Sequence, residues 1–282
     1  MLEGVTNRRL SGPDLEDLAR LERTVTAADG ISLKLEWPYL REGRTVAALT
    51  HRDGGCLTGF LGLYCFGGPP DVEFIGMVDP ERRRHGIAGQ LLDEALDICR
   101  RRGLQRRLLI VPRDSGSGRA FATGRGAELE HSEHSLLLTG EVHRVPEDPK
   151  VTLRDAVDAD RRDLVRILTS GFGPPPEGML EHLQESRSQT LIVHHAEVPV
   201  GTVRVSLDAG EGGVHGFAID TAYRGRGIGR DVLSRVCTEL RRRGARQVRL
   251  EVAVENDAAL HLYTSTGFTP AGTDDYFLLP PA

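Results

Sequence analysis

The sequence predicts an α/β chain of two tandem domains, each of the α+β kind with a mixed, mostly antiparallel sheet flanked by helices. Three observations lead there. Sliding the chain on itself by 141 residues aligns 79–111 with 220–252 without a gap, with identities that include Asp79/Asp220, Arg83/Arg224, Gly86/Gly227, Ile87/Ile228, Leu92/Leu233, Gly103/Gly244, Leu109/Leu250 and Val111/Val252. A period that long marks a duplicated domain and not a solenoid, whose repeats run roughly 20 to 50 residues. Each copy also sets a glycine-bearing turn between an apolar strand and an amphipathic helix, and the segment before that turn alternates as a hairpin. With 282 residues and 39% hydrophobic content, there is material for two cores. The boundary falls in the polar, proline-bearing "TGEVHRVPEDPK" (139–150), which predicts domains over 1–145 and 146–282.

The second copy shows the elements in order. "VTLRDA" alternates as a strand, and "DADRRDLVRILTSGF" offers Asp158 or Asp160 as a cap before Leu164, Ile167 and Leu168 at helical spacing. "PEGMLEHLQES" reads as another helix. "TLIVHHAEVPVGTVRVSL" reads as a hairpin around Val198, Pro199 and Gly201, and "GGVHGFAID" as the strand that leads into the turn. Val232, Leu233, Val236 and Leu240 then line one face of a helix that stops at Gly244, with Arg241, Arg242 and Arg243 in its last turn, where cations suit the dipole. "QVRLEVAV" is the next strand. A short helix, "NDAALHLYTST", runs on to Gly267.

Composition excludes several functions. The net charge is -5, so no global positive field attracts nucleic acid. Lys34 and Lys150 are the two lysines, and neither follows a glycine as a Walker-type phosphate loop requires. The start lacks an apolar signal region and no apolar run approaches the roughly 18 residues of a spanning helix, so a cytoplasmic protein without membrane contact is expected. Cys56, Cys65, Cys99 and Cys237 form no C-x-x-C pair and read as small core residues. The pairs His131/His134 and His194/His195 lack the neighbours of a metal site, and no metal is expected.

"YRGRGIGRDVL" (223–233) carries the chemistry that remains. Backbone N–H groups at a helix N-terminus have no internal partner and point outward. Gly225, Gly227 and Gly229 let a ligand approach that backbone, and Arg224, Arg226 and Arg230 add positive charge. A pyrophosphate meets these requirements. The dinucleotide fingerprint G-x-G-x-x-G fails, because Arg230 stands where its third glycine is needed.

At these residues the chain resembles the GNAT acetyltransferase family. The family's R-x-x-G-x-G/A motif, which grips the pyrophosphate of acetyl-CoA, matches Arg224, Gly227 and Gly229, and in the first copy Arg83, Gly86 and Ala88. Its following strand, N-x-x-A, tyrosine and Gly-Phe match "LEVAVENDAALHLYTSTGF" (250–268). The resemblance covers both copies and implies acetyl-CoA as cosubstrate, with Tyr223 to Arg230, Ile228 included, around its diphosphate. It also implies oxyanion donors from the strand of Phe217, Ala218 and Ile219, and Asn256 against the pantetheine arm or capping its helix. Tandem members, of which mycothiol acetyltransferases are one kind, commonly keep chemistry in one half.

The fixed offset picks that half. Glu251, Asn256 and Tyr263 face Ile110, Ser115 and Ala122 in the first copy, which keeps the turn and loses the polar groups. The C-terminal domain is therefore expected to be catalytic and the N-terminal one degenerate. Acetyl transfer to a primary amine, by direct attack in a ternary complex, needs a base for the ammonium and an acid for the departing thiolate. Tyr263, with an ordinary pKa of roughly 10, can donate that proton. Glu251 is the first choice of base, at a 12-residue spacing before Tyr263 that resembles N-terminal protein acetyltransferases; His215 is the second and Glu211 the third.

Family members shape the acceptor pocket from segments matching 171–186 and 269–280, so Glu177, Glu181, Asp274 and Asp275 could hold a cationic amine. A small-molecule amine, a mycothiol precursor, a protein N-terminus and a lysine side chain stay open, as do monomer and homodimer. The rival reading is a non-catalytic acyl-CoA sensor or scaffold.

Overall fold

The computed structural model describes residues 5–66, 70–175, 180, 183 and 188–281. It forms two compact units, one of residues 1–132 with 272–282 and the other of residues 133–271.

The first unit runs β1 (Val5–Asn7), α1 (Gly12–Asp29), α2 (Trp37–Glu42), β2 (Ala47–Asp53), β3 (Cys56–Tyr64), β4 (Asp71–Val78), α3 (Ile87–Arg102), β5 (Arg106–Pro112) and α4 (Gly116–Gly124). Ser11 and Asp14 open α1 with a capping box, and Gly30 closes it at φ +66. Neighbouring strands from β1 to β4 pair antiparallel, whereas β4 and β5 are parallel, joined by α3. One core lies under α3 and α4; a second, on the other sheet face, gathers Leu18, Leu21 and Val25 of α1 over Phe60, Tyr64, Ile75, Leu108 and Ile110.

Strand β6 (Glu128–Leu138) follows, its residues to Ser132 belonging to the first unit and those from Glu133 to the second. The second unit continues with β7 (Val151–Asp155), α5 (Arg161–Phe172), β8 (Ser188–His195), β9 (Val198–Asp208), β10 (Glu211–Ile219), α6 (Ile228–Arg242), β11 (Gln247–Ala253), α7 (Asp257–Ser265) and β12 (Thr269–Leu278). Strands β7 to β10 pair antiparallel in chain order, and β10 meets β11 in parallel. Beneath α6, Val232, Leu233, Val236 and Leu240 pack on Val203, Val214, Val248 and Leu250.

These units are drawn differently from the expected halves 1–145 and 146–282, because the last strand of each repeat pairs outside its own half. Residues 133–138 of β6 pair antiparallel with β11, and residues 274–278 of β12 pair antiparallel with β5. Apolar residues drive both placements: Leu136 and Leu138 enter the core under α6, and Phe277 the core under α3.

Local expectations need three corrections. The β8–β9 hairpin turns at Ala196 and Glu197, both at positive φ, one step before the residues named from sequence. Asp160 does not cap α5; its carboxylate accepts from Val157 N–H (2.8 Å) and from Arg154 (2.7 Å to each oxygen). Cys56 is exposed and Cys65 half-buried, so only Cys99 and Cys237 fit the core reading. Most of the helix read from 176–186 lies outside the described residues.

Candidate functional site

Strands β10 and β11 stay paired only from Glu211/Gln247 to Gly213/Arg249. Beyond that couple β11 remains with β6 as far as Ala253, and β10 with β9 as far as Ile219, so the sheet of the second unit opens between them. A bulge sharpens the opening: the pairing with β9 shifts between His215 and Ala218, where Gly216 takes φ +52. Asp220 N–H bonds Val200 O at 2.8 Å, and strand alternation then turns the N–H groups of Ile219 and Phe217 to the unpaired edge. Ala218 and Ile219 are buried, and Phe217 half-buried.

The glycine turn stands at the end of that edge. Gly225 and Gly227 take φ +74 and +81, which L side chains rarely adopt, and α6 starts at Ile228 with no side-chain cap. A Cβ at either glycine would meet nothing within 4 Å, so no side chain packs over the turn on that side. Gly229 is closer packed, a Cβ there lying 3.4 Å from Leu262 and 3.8 Å from Phe217, which seats α7 beside the turn and the free edge of β10. Arg224 Nε donates to Ile219 O (2.9 Å), Arg226 donates to Ala222 O (3.0 Å) and lies over the Tyr223 ring, and Arg230 is exposed. Among the described residues, no carboxylate pairs with any of these three arginines.

The first unit builds the same turn and neutralises it. Arg83 Nε donates to Val78 O (3.2 Å) as Arg224 does to Ile219, but its two terminal nitrogens each reach an Asp29 oxygen at 2.8 Å. In the second unit the matching Arg224 Nη2 reaches a carbonyl instead, Ser170 O at 3.5 Å. Arg84 replaces Gly225 and holds φ +66, a strained conformation for a side-chain-bearing residue. Gly86 keeps φ +82 as the helix cap and Ala88, half-buried, stands in for Gly229.

The sheet faces differ more. Val214, Val248, Leu250 and Val252 point into the core under α6, so alternation places His215, Arg249 and Glu251 on the opposite face. His215 and Glu251 each lie two residues past the last paired couple, one on each strand bordering the opening, with the His215 ring turned back over Gly213. Ser135 of β6 sits opposite Glu251 and accepts from Arg249 Nη1 at 3.2 Å; Ser206 Oγ and His215 Nε2 are 3.0 Å apart. In the first unit Glu73 pairs with Leu108 as Gly213 does with Arg249, which makes Ile75, Leu108, Ile110 and Tyr276 the counterparts of His215, Arg249, Glu251 and Ser135. All four belong to the apolar core under α1. The one-residue bulge in β10 shifts the repeat offset from 141 to 140 before it, a signal present in the sequence that the gap-free comparison of 79–111 did not reach.

Tyr263 lies on the α6 side of the sheet, 7% exposed and edge-on to Phe268. Burial pushes its phenol up to about 12, so it keeps its proton at neutral pH. Its hydroxyl bonds no described residue. Asn256 Oδ1 caps α7 by accepting from Ala259 N–H (3.1 Å), and Ser115 caps α4 in the same way. Glu211 sits at the closed end of the β10–β11 pairing, bonded to Gln247, away from the opening.

The acceptor acids read from the tail are overturned. Asp275 belongs to the first unit, 1% exposed and held by Arg113 (2.8 Å), Arg119 (2.9 Å) and Ser132 (2.8 Å); Asp274 pairs opposite Pro112 on β5. Both follow β12 into the first unit's sheet. Glu177 and Glu181 lie outside the described residues. Among the described residues no three His, Cys, Asp or Glu side chains gather as a metal-holding group, and no helix is long and apolar enough to cross a membrane.

A parallel strand pair followed by a glycine-capped turn and helix in each of two repeats, opened by a bulge in the second, defines an acyltransferase-type fold. The sequence profile of the acetyltransferase (GNAT) family matches residues 13–124 and 161–268, and the chain belongs to that family. It is an acetyl-CoA-dependent N-acetyltransferase of tandem layout. Mycothiol acetyltransferase of Nocardia farcinica is 29% identical over 297 aligned positions, covering 95% of this chain and 94% of its own length. N-alpha-acetyltransferase RimI of Mycobacterium tuberculosis is 51% identical over 59 residues, 21% of this chain and 35% of its own. Among solved structures, a GCN5-related N-acetyltransferase from Sphaerobacter thermophilus matches with TM-score 0.80 at 20% identity, over 100% of this chain and 98% of that one. A tandem GNAT protein from the clavulanic acid biosynthesis pathway matches with TM-score 0.70 at 17% identity, over 99% of both chains.

Proposed function

We propose that the second unit moves the acetyl group of acetyl-CoA to a primary amine, by direct attack in a ternary complex, while the first unit serves as a degenerate partner domain. The supporting observation is the contrast at matched positions: His215, Arg249 and Glu251 where the first unit has Ile75, Leu108 and Ile110. A sheet face that could have been closed by apolar packing instead carries titratable groups beside an opening and an unneutralised anion turn.

The residues present fit acetyl-CoA, since the cradle above Gly225 and Gly227 is clear and the amides of α6 have no side-chain cap. Arg224, Arg226 and Arg230 with the amides of Gly227 to Gly229 would hold its diphosphate, and the open-edge amides of Phe217 and Ile219 would face its acyl carbonyl. Bound there, acetyl-CoA supplies an activated acyl group. Glu251, or His215 at the other edge of the opening, takes a proton from the acceptor's ammonium, directly or through water, so that the neutral amine attacks the acyl carbon. Tyr263, kept protonated by burial, gives its proton to the departing sulfur. Asn256 holds α7 in place by capping it.

The relatives' names suggest acceptors of two kinds, a mycothiol precursor amine and a protein N-terminus. The test is release of free CoA thiol with an amine panel, whose initial rates should give intersecting and not parallel patterns. Tyr263→Phe should lower kcat by about 10²- to 10⁴-fold, with acetyl-CoA affinity retained. Full activity in that variant would remove Tyr263 from the acid role, whereas acetyl-CoA binding without turnover for every amine would favour the sensor reading instead.

A further inference from the structure

Beside Glu251, on the same strand and face, Arg249 carries a charge that no acid neutralises. It is half-buried, and its only bond to a described residue goes from Nη1 to the Ser135 hydroxyl (3.2 Å). No carboxylate among the described residues lies within ion-pair distance of it. A guanidinium presents five N–H donors in a planar fork suited to carboxylate or phosphate, and one serine satisfies one of them. The strand position beside it is Gly213, over which the His215 imidazole and the Ser206 hydroxyl lie, so the neighbours on that side are polar and neither is an acid. The face also carries Arg204, bonded to Ser188 Oγ at 2.8 Å, and His215, bonded to Ser206.

Leu108 at the matching place in the first unit is 2% exposed in an apolar core, so the fold does not need a cation there. Residues two apart on a strand have their Cα atoms roughly 7 Å from one another. An amine held at Glu251 therefore brings its neighbouring bonds past Arg249. We propose that Arg249 recognises an anionic group, carboxylate or phosphate, carried by the acceptor a few bonds from the reacting nitrogen. This rests on the second unit being the transfer site, and it makes amines with such a group the preferred acceptors.

The experiment compares matched acceptors on the full chain: an amine bearing a free carboxylate against its carboxamide, and an amine bearing a phosphate ester against the parent alcohol. The ratio of kcat/KM within each pair is the readout. The unsubstituted protein should favour the anionic member of at least one pair, the pair identifying the anion. Arg249→Gln should cut that ratio by about tenfold to a hundredfold, the range for a charge-assisted hydrogen bond. Arg249→Lys should restore part of it, which a folding defect would not do. Equal rates within both pairs, or a ratio untouched by Arg249→Gln, would overturn the assignment. Calorimetric binding of the same pairs separates the two readings: with no amine acetylated the transfer role fails, whereas a binding preference lost in Arg249→Gln would still support the anion site and its absence would not.

Discussion

Ile75, Leu108, Ile110 and Tyr276 close one face of the first unit's sheet, while His215, Arg249, Glu251 and Ser135 hold the same four places in the second. Burying a large apolar side chain is worth roughly 1.5 to 3 kcal/mol, so the first unit draws stability from a surface that the second leaves polar. The turn repeats this contrast in charge. Arg83 is committed to Asp29, whereas among the described residues Arg224 bonds carbonyls and no acid. The backbone device persists in both copies, while in the first unit apolar packing and a counter-ion occupy the places where the second carries titratable groups and an arginine with no acid partner among the described residues.

The largest expected effect comes from cutting the chain between the repeats. A piece spanning 146–282 lacks the strand that pairs with Val248 to Ala253 and leaves Leu250 and Val252 without the Leu136 and Leu138 they pack with. It should show no cooperative thermal transition by circular dichroism, while 128–271 should show one. A cooperative melt of 146–282 alone would mean that each half is self-sufficient.

A smaller effect separates the two arginines. In the full chain Arg224→Ala should weaken acetyl-CoA binding about tenfold or more by calorimetry, and Gly227→Val should do likewise by straining the cap at φ +81. Arg83→Ala should leave that affinity unchanged and cost about 1 kcal/mol of stability, because Asp29 loses a partly exposed partner. Equal effects of the two alanine substitutions on affinity would erase the distinction between the turns.

The smallest effect is one the units share. Burial pushes the Asp14 carboxyl up but is outweighed by hydrogen bonds from Ser11 and the charges of Arg8 and Arg52, which hold it at about 2; Arg154 bonds hold Asp160 at about 2 against burial. Both values lie below the ordinary 3.8, so the folded state binds protons less readily than the unfolded chain. Their contribution is complete above about pH 4 and is lost as pH falls towards 2, at most about 2 kcal/mol each. Urea unfolding at stepped pH should show this loss, and Asp160→Asn should flatten it for the second unit only.

Much of this was legible in the residues themselves. The repeat, the helix from Ile228 to Arg242 and the strand from Gln247 to Ala253 follow from periodicity and glycine stops. Those signals are local and survive without knowing what packs where. The acids of the tail were misplaced because a strand's partner is chosen by which sheet edge accepts its apolar face, and Asp275 went wherever Tyr276 and Phe277 were buried. The Asp29 counter-ion was illegible for a related reason, as it lies 54 residues from Arg83.

The amino-acid order alone determined the duplicated fold, the bare cationic turn and the loss of Glu251 and Tyr263 counterparts from the first copy, since each depends on spacing along one segment. Tertiary structure decided which strand closes which sheet, that His215 and Glu251 border the same opening, and that Arg249 beside them has no ion pair among the described residues. Those are relations between segments far apart in the chain, fixed by register, a one-residue bulge and the burial of apolar side chains, none of which spacing records.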